Sequence, residues 1–400
     1  MARIVRLLSI FTTDRRLNGF RLWAKLLLIV AMILPFWSPQ ARCQQKVGTA
    51  ASPFLNLVNS ARANGMGACA IDLVNEESAL YNPGGVGLFH LNRTIAVAWP
   101  PQSTKWLPTH TDDLHLNSYT LSAGMSSQRL HWGKNPLLNV SLAFAFSRLE
   151  LNFGTGAIVS HARDRADCYT VAIGADYLIR VGIGYTYKRI TEDVTESWYP
   201  EGPSYSSSFA ANGEDVGITV ELPLWRVWRS KHPQKLLEPP PAMQITPRYT
   251  YVVANGAQGG EMLPQRYHKG LSLHAKYVKT GCSVVDMTLV GEIEKPHLDE
   301  GKLLKGGVEL GLLEVCYLRL GKFKDDPLGS YGADVNTLGL GFSLNGLIKY
   351  TRIIEHMRSS RVRLRWLVAN LDVRFDYARY GGEPNQALYD TKFYKLTVSL

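Results

Sequence analysis

Four hundred residues suffice for one large β-barrel or two ordinary domains; glycine and tyrosine are plentiful, charged side chains make up 20% and mean hydropathy is near zero. The formal charge of +10 gathers in residues 1–43, where Arg3, Arg6, Arg15, Arg16, Arg21, Lys25 and Arg42 face Asp14 alone; the rest carries 37 basic against 33 acidic residues, which is no basis for binding nucleic acid. No apolar run is long enough to cross a bilayer as a helix, but strands remain open, because alternation dilutes their hydrophobic signal.

The chain begins with an export pattern. Basic residues precede an apolar core at 26–37 that is too short to span and is broken by Pro35. Ala41 and Cys43 place small residues at the −3 and −1 positions, predicting cleavage before Gln44 and a signal peptide over 1–43. An uncleaved anchor is the alternative. Arg42 argues against Cys43 as a lipid acceptor. Cys69, Cys168, Cys282 and Cys316 would remain; their wide spacing, with no CxxC, argues against zinc, and it leaves three pairings or none open.

Residues 54–89 are rich in small side chains and fit neither a clean helix nor a clean strand. In Ala61-Arg62-Ala63-Asn64-Gly65-Met66-Gly67, the two glycines mark positive φ or a close approach to other backbone. Residues 72–80 read as a short helix carrying Glu76 and Glu77, with Asp72 at its start. Asn82-Pro83-Gly84-Gly85 ends it. The ordered pattern Ala-Arg-Ala-x-Gly-Met-Gly, an acidic Ser-Ala-Leu-Tyr helix and Asn-Pro-Gly resembles the N-terminal plug of the PorV family, outer-membrane β-barrels related to the FadL fatty-acid channels. Tyr81 abuts Asn82 where that family has an intervening tryptophan, and Gly84 stands where alanine is usual. The resemblance implies a plug over 44–90, with Asn64, Gly65, Met66, Gly67, Asp72, Glu76, Glu77, Asn82 and Pro83 packed in the lumen of a barrel over 91–400.

From Arg93 onward the period is two. Strands are expected at 93–99, 115–123, 139–152, 166–177, 179–191, 210–222, 245–253, 267–278, 283–294, 303–312, 315–324, 334–344, 367–380 and 389–400, about fourteen in all, an even number as a bacterial barrel requires. Val140, Leu142, Phe144 and Phe146 share one face. Val285, Met287, Leu289 and Ile293 oppose Asp286, Thr288, Glu292 and Glu294; Leu371, Val373, Phe375 and Tyr377 oppose Asp372, Arg374 and Asp376. In a membrane barrel the apolar set must face lipid and the charged set the lumen. A soluble sandwich gives the same alternation. The export signal, the strand number and a last strand alternating up to Leu400 favour the transmembrane antiparallel barrel. Asn255-Gly256 with Leu263-Pro264 and 270–273, residues 306–322, 338–342 and 373–377 extend the family resemblance.

No catalytic motif stands out. Walker, HExxH and GxSxG patterns are missing from the sequence; Gly182 and Gly184 sit at strand period, which suits close packing. His90, His110, His115 and His131 fall near loops or strand ends and are expected to be solvated. Glu76 and Glu77 beside Asp72 are read as acids favouring a helix N-terminus. The chain therefore reads as no enzyme, with no cofactor and no metal, located in a Gram-negative-type outer membrane. Two functions follow from the resemblance, with a purely structural barrel as a third reading. One, PorV-like, is a binding and shuttle component whose partners are proteins of type IX secretion. The other, FadL-like, is a channel for long-chain fatty acids or other small hydrophobic ligands. The tyrosine- and serine-rich stretch 198–209 would suit either. Two connections near 223–244 and 345–366 are long, and topology places both on the periplasmic side. They carry a basic surface of Arg226, Arg229, Arg358, Arg361 and Arg363, and Leu347, Ile348, Thr351 and Ile354 recur at helical spacing. A docking surface for an acidic partner or for anionic lipid is the expectation there, with continued strands or solvated turns as the alternative.

Overall fold

The computed structural model describes residues 52–108, 114–129, 138–153, 159–197, 204–230, 240–258, 263, 265–279, 282–296, 302–325, 333–350, 370–381 and 388–400. Alternation of apolar and polar residues builds a single antiparallel sheet that closes on itself. Its strands are β1 (Ile95–Trp99), β2 (Thr104–Lys105), β3 (His115–Ser126), β4 (Asn139–Phe153), β5 (Val159–Asp176), β6 (Arg180–Ser197), β7 (Ser204–Glu221) and β8 (Met243–Gln258). They continue as β9 (Arg266–Lys279), β10 (Cys282–Pro296), β11 (Leu303–Leu312), β12 (Cys316–Asp325), β13 (Ala333–Ser343), β14 (Asp372–Tyr380) and β15 (Lys392–Ser399). Each pairs with its sequence neighbour, except that β2 is a two-residue addition to β3 and β1 bridges the ends. Val97 stands opposite Val398 of β15 and Leu121 of β3, which closes a fourteen-strand barrel. Among the described residues, closure gives each of the fourteen barrel strands a neighbour on both sides, and only the two-residue β2 is paired on one side.

All fourteen expected strands are present. Among the strands that run longer than expected are β5, β6 and β7, each 18 residues long, and β8 with 16. Strands β5, β6 and β7 run on towards the end of the barrel opposite to where β1 begins and β15 finishes; these are here the far and near ends. Near-end turns at 177–179 and 313–315 are tight.

The wall has two zones. In the middle, Leu142, Phe144, Val171 and Ile173 point outward and are exposed, whereas Ser141, Ala143, Ala172 and Gly174 point inward. That apolar exterior on a closed barrel is the face that hydrocarbon requires. Towards the far end the polarity inverts. Arg148 and Asp167 pair at 2.7 Å on the outside, as do Arg163 and Glu150 at 2.5 Å, whereas Leu149, Leu151, Ala166, Cys168 and Ile190 are buried inside. A strand obeying that pattern has left the lipid: water is outside it and a dry cluster within.

Residues 52–91 fill the lumen. A 3₁₀ turn (Pro53–Asn56) leads to α1 (Ala61–Gly65), α2 (Ser78–Tyr81) and α3 (Pro83–Phe89). Two expectations are corrected here. The acidic stretch before Ser78 is not helical: the Asn75 amide donates to Ser78 Oγ at 3.0 Å and Ser78 Oγ donates to the Leu73 carbonyl at 2.7 Å, fixing a turn instead. Asn82-Pro83-Gly84-Gly85 does end α2, but it also starts α3. Asn82 Oδ1 accepts from the Gly84 amide at 3.1 Å as an N-cap, and Pro83 takes the first helical position, where a missing N–H costs nothing.

Candidate functional site

The site is the interface between the plug and the lumen wall. Small residues make it possible. An added Cβ on Gly182 would lie 2.1 Å from the Gly84 carbonyl oxygen, and one on Gly184 would lie 2.3 Å from that of Pro83. The two wall glycines expected to allow close packing thus receive the first turn of α3. At Gly67 the requirement is double: φ is +69°, and a Cβ would stand 2.4 Å from the Gly306 carbonyl oxygen. Gly65 lies in α1 with Gly339 against it, so its role is close approach alone.

Polar groups then fix the register of plug against wall. Thr337 Oγ1 donates to the Gly65 carbonyl at 3.1 Å and accepts from the Gly67 amide at 2.9 Å. Asn64 Nδ2 donates to the Val58 carbonyl at 2.8 Å, and its Oδ1 accepts from the Tyr380 hydroxyl at 2.6 Å. Asn82 Nδ2 donates both to Ile71 O and to Thr219 Oγ1, each at 2.7 Å. Buried backbone thereby keeps its partners without water.

Charge holds the plug from three sides. Arg62 grips Glu309 in a fork at 2.5 and 3.0 Å; Glu309 also accepts from Arg319 Nε at 2.6 Å, and Arg319 reaches Asp376 at 2.7 Å. Arg319 is fully buried. Glu77 meets Lys395 Nζ at 2.9 Å, while Lys395 also donates to Ser118 Oγ at 2.6 Å. Glu76 accepts from Thr397 Oγ1 at 2.9 Å. Asp72 Oδ1 accepts from Thr250 Oγ1 at 2.9 Å and its carbonyl from Arg248 at 2.5 Å. The three acids therefore bind the barrel wall, which corrects their reading as helix N-terminal charges. Burial pushes the Asp72 carboxyl up to about 6, against the pull of Arg248, and raises Glu76, with the adjacent Glu77 adding to it.

His90 corrects a further expectation. It is buried, its Nδ1 is 2.9 Å from the Arg93 carbonyl, and burial lowers its pKa. His115 is partly buried; His110 and His131 lie outside the described residues. Cys69, Cys168 and Cys316 are free thiols. His268, Glu292 and Glu294 gather with ligand atoms within 4.8 Å. Lys305 Nζ lies 3.3 and 2.7 Å from the two carboxylates, and the Ala70 amide donates to Glu292 at 3.0 Å. Lys305 together with Arg266, which pairs with Glu294, already neutralises the two carboxylates. A cavity of ≈ 170 Å³ lies between plug and wall, lined by Arg62, Met66, Asp72, Arg248 and His274 among others.

Apolar side chains ring the far end of the lumen. Leu116, Leu149, Leu151 and Ile190 of the wall surround Phe54 and Leu80 of the plug and Leu263 of a connection. Across the lumen Phe323, Val335, Tyr380 and Phe393 form a second cluster with Ala61, and Trp106 packs against both. This cup was not expected from the sequence, although Leu149 and Leu151 break the phase of Phe144 and Phe146. Of the basic surface, Arg226 binds Asp176 and the Tyr177 carbonyl, and Arg229 stacks over Trp225; Arg358, Arg361 and Arg363 lie outside the described residues, as do 198–203.

A closed barrel with an apolar exterior and a charged, plugged lumen defines a transmembrane β-barrel of the outer-membrane kind. No family model matches the chain. Nor does any curated protein. Solved structures similar to it include a FadL homologue of Pseudomonas aeruginosa (9% identity, 85% of this chain and 96% of that one, TM-score 0.36). Others are a TodX monoaromatic hydrocarbon channel mutant (8%, 85% and 97%, TM-score 0.40) and the β domain of the Bordetella autotransporter BrkA (8%, 76% and 96%, TM-score 0.38). Likenesses this distant fix neither ligand nor partner.

Proposed function

We propose that the barrel is a plugged channel that takes small hydrophobic molecules, long-chain fatty acids among them, into the apolar cup at its far end. The cup is the observation that carries the reading. A lumen meant only for water and ions has no use for inward Leu116, Leu149, Leu151, Phe323 and Phe393, whereas an apolar solute gains on transfer to such a lining, at roughly 25 cal/mol per Å² buried. Phe54 and its neighbours occupy the cup, so entry requires the segment before α1 to yield. Its hold on the wall includes a Ser52 hydroxyl bonded to Glu192. The export leader over 1–43, the plug over 44–90 and the barrel over 91–400 belong to the same proposal, with delivery to the outer membrane.

The test is displacement of an apolar fluorescent probe from the detergent-purified protein by palmitate and by toluene. Leu149→Gln and Leu151→Gln are expected to weaken both competitors about tenfold, the order of one buried apolar side chain. Equal displacement by wild type and variants removes the reading. The secretion role rests on the plug sequence Ala61–Gly67 and its likeness to PorV. Co-purification of an exported protein, without competition by either apolar solute, would put that role in its place.

A further inference from the structure

We propose that α4 (Leu224–Arg229), in the long near-end connection between β7 and β8, is a membrane-interface helix whose apolar face seats in the lipid at the barrel rim. Six residues do not hold a helix unaided, so its orientation is set by what ties it down. Arg226 does this: its Nη1 donates to the Tyr177 carbonyl at 2.9 Å and to Asp176, both beside the tight turn between β5 and β6, and the helix also packs on β8. With its rotation fixed, Leu224, Val227 and Trp228 stand at i, i+3 and i+4 on one face. That face is exposed, Trp228 to 82%. A rim helix facing only water would turn such a set inward.

What covers this face follows from its continuity with the wall. Leu222 just before the helix and Met243 at the start of β8 are also exposed, and both belong to the outward apolar surface that faces hydrocarbon. The Arg226 and Arg229 guanidiniums sit 5.2 and 5.4 Å from the Trp225 ring centre, keeping positive charge on the helix near its second indole. An exposed indole, Trp228, with Leu224 and Val227 on its face and the arginine-covered Trp225 on the same helix, fits the boundary between acyl chains and head groups. The second long near-end connection repeats the pattern: α5 (Leu344–Tyr350) carries Leu344, Leu347 and Ile348 at the same spacing. Arg226, held by Asp176 and the Tyr177 carbonyl, thus anchors the helix to the β5–β6 turn.

The proposal depends on the membrane setting and not on what the channel carries. Its test uses the full chain reconstituted in phosphatidylcholine vesicles with bromine placed either near the carbonyl end or near the methyl end of the acyl chains. The Trp228 signal is the difference between wild type and Trp228→Phe. It is expected to fall about twofold with shallow bromines and less with deep ones, and to resist aqueous iodide. Val227→Lys, which keeps the indole, is expected to restore iodide quenching. Quenching by iodide with no effect of bromine in wild type overturns the proposal, and so does protection from both quenchers, the mark of a protein partner on this face.

Discussion

Asp72 shows how a single side chain makes the plug sensitive to pH. Burial raises its carboxyl from 3.8 to about 6, so the native plug favours the protonated form that the unfolded chain has already lost. A raised acid lowers stability progressively as pH climbs from about 4 to about 6, and the penalty is constant above that range. Two units correspond to roughly 3 kcal/mol at neutral pH. Asp72→Asn keeps an acceptor for Thr250 but has no charge to bury. The variant is expected to exceed wild type in stability at neutral pH, with the difference shrinking through about pH 6 and vanishing near pH 4. Urea midpoints of the two proteins across that range check this, and a constant difference would place Asp72 in a solvated setting.

At the level of elements, the strands were legible and the plug helices were not, for different physical reasons. Membrane strands carry period two because lipid and lumen impose opposite chemistry on successive side chains. Each of the fourteen was therefore recognisable, and Val285, Leu289 and Ile293 do face outward while Glu292 and Glu294 are buried within. The short strand ends assigned to β5 and β6 had a cause: beyond the lipid the chemistry of the two faces exchanges, and Arg163, Arg165 and Asp167 obscure an alternation that continues geometrically. The plug obeys neither period. Its helices are four to seven residues long and take their stability from the wall around them, so Pro83-Gly84-Gly85 reads locally as a breaker while tertiary contact makes it a helix. Gly67 and Asn82 were still identifiable as packed positions, because few residues tolerate positive φ or cap so tightly. The outward band carries its own prediction. Phe144→Arg would place a guanidinium in hydrocarbon at a cost of about 2–4 kcal/mol near the midplane, whereas Arg148→Phe, beyond the band, would cost far less. Refolding into lipid vesicles, followed by heat-modifiable migration, measures both; equal losses would move the band's edge.

For the whole molecule, the arrangement of charge implies that plug and barrel are separable in stability. The barrel closes through its own backbone ladder, while the plug is held by side chains that cross the lumen. Glu309 is central to this hold, since it bridges Arg62 of the plug and Arg319 of the wall, with Asp376 supplying the second negative charge. Glu309→Gln would leave the buried Arg62 facing a neutral amide while Arg319 keeps Asp376 at 2.7 Å, and removing one partner of a buried ion pair costs on the order of 3–5 kcal/mol. Wall strands β11 and β12 lose no backbone hydrogen bond by the change. The expected outcome is a barrel that still folds and still migrates anomalously when unheated, but whose plug is released: vesicles containing it should swell in small sugars to which the wild-type barrel is closed. Protease should then cut within 52–91 far faster than in wild type. Arg62→Met in the same background should recover part of the closure, because the unpaired plug charge is gone. If Glu309→Gln instead abolishes barrel folding, the plug is part of the folding core, and passage through the lumen would have to proceed around a fixed plug.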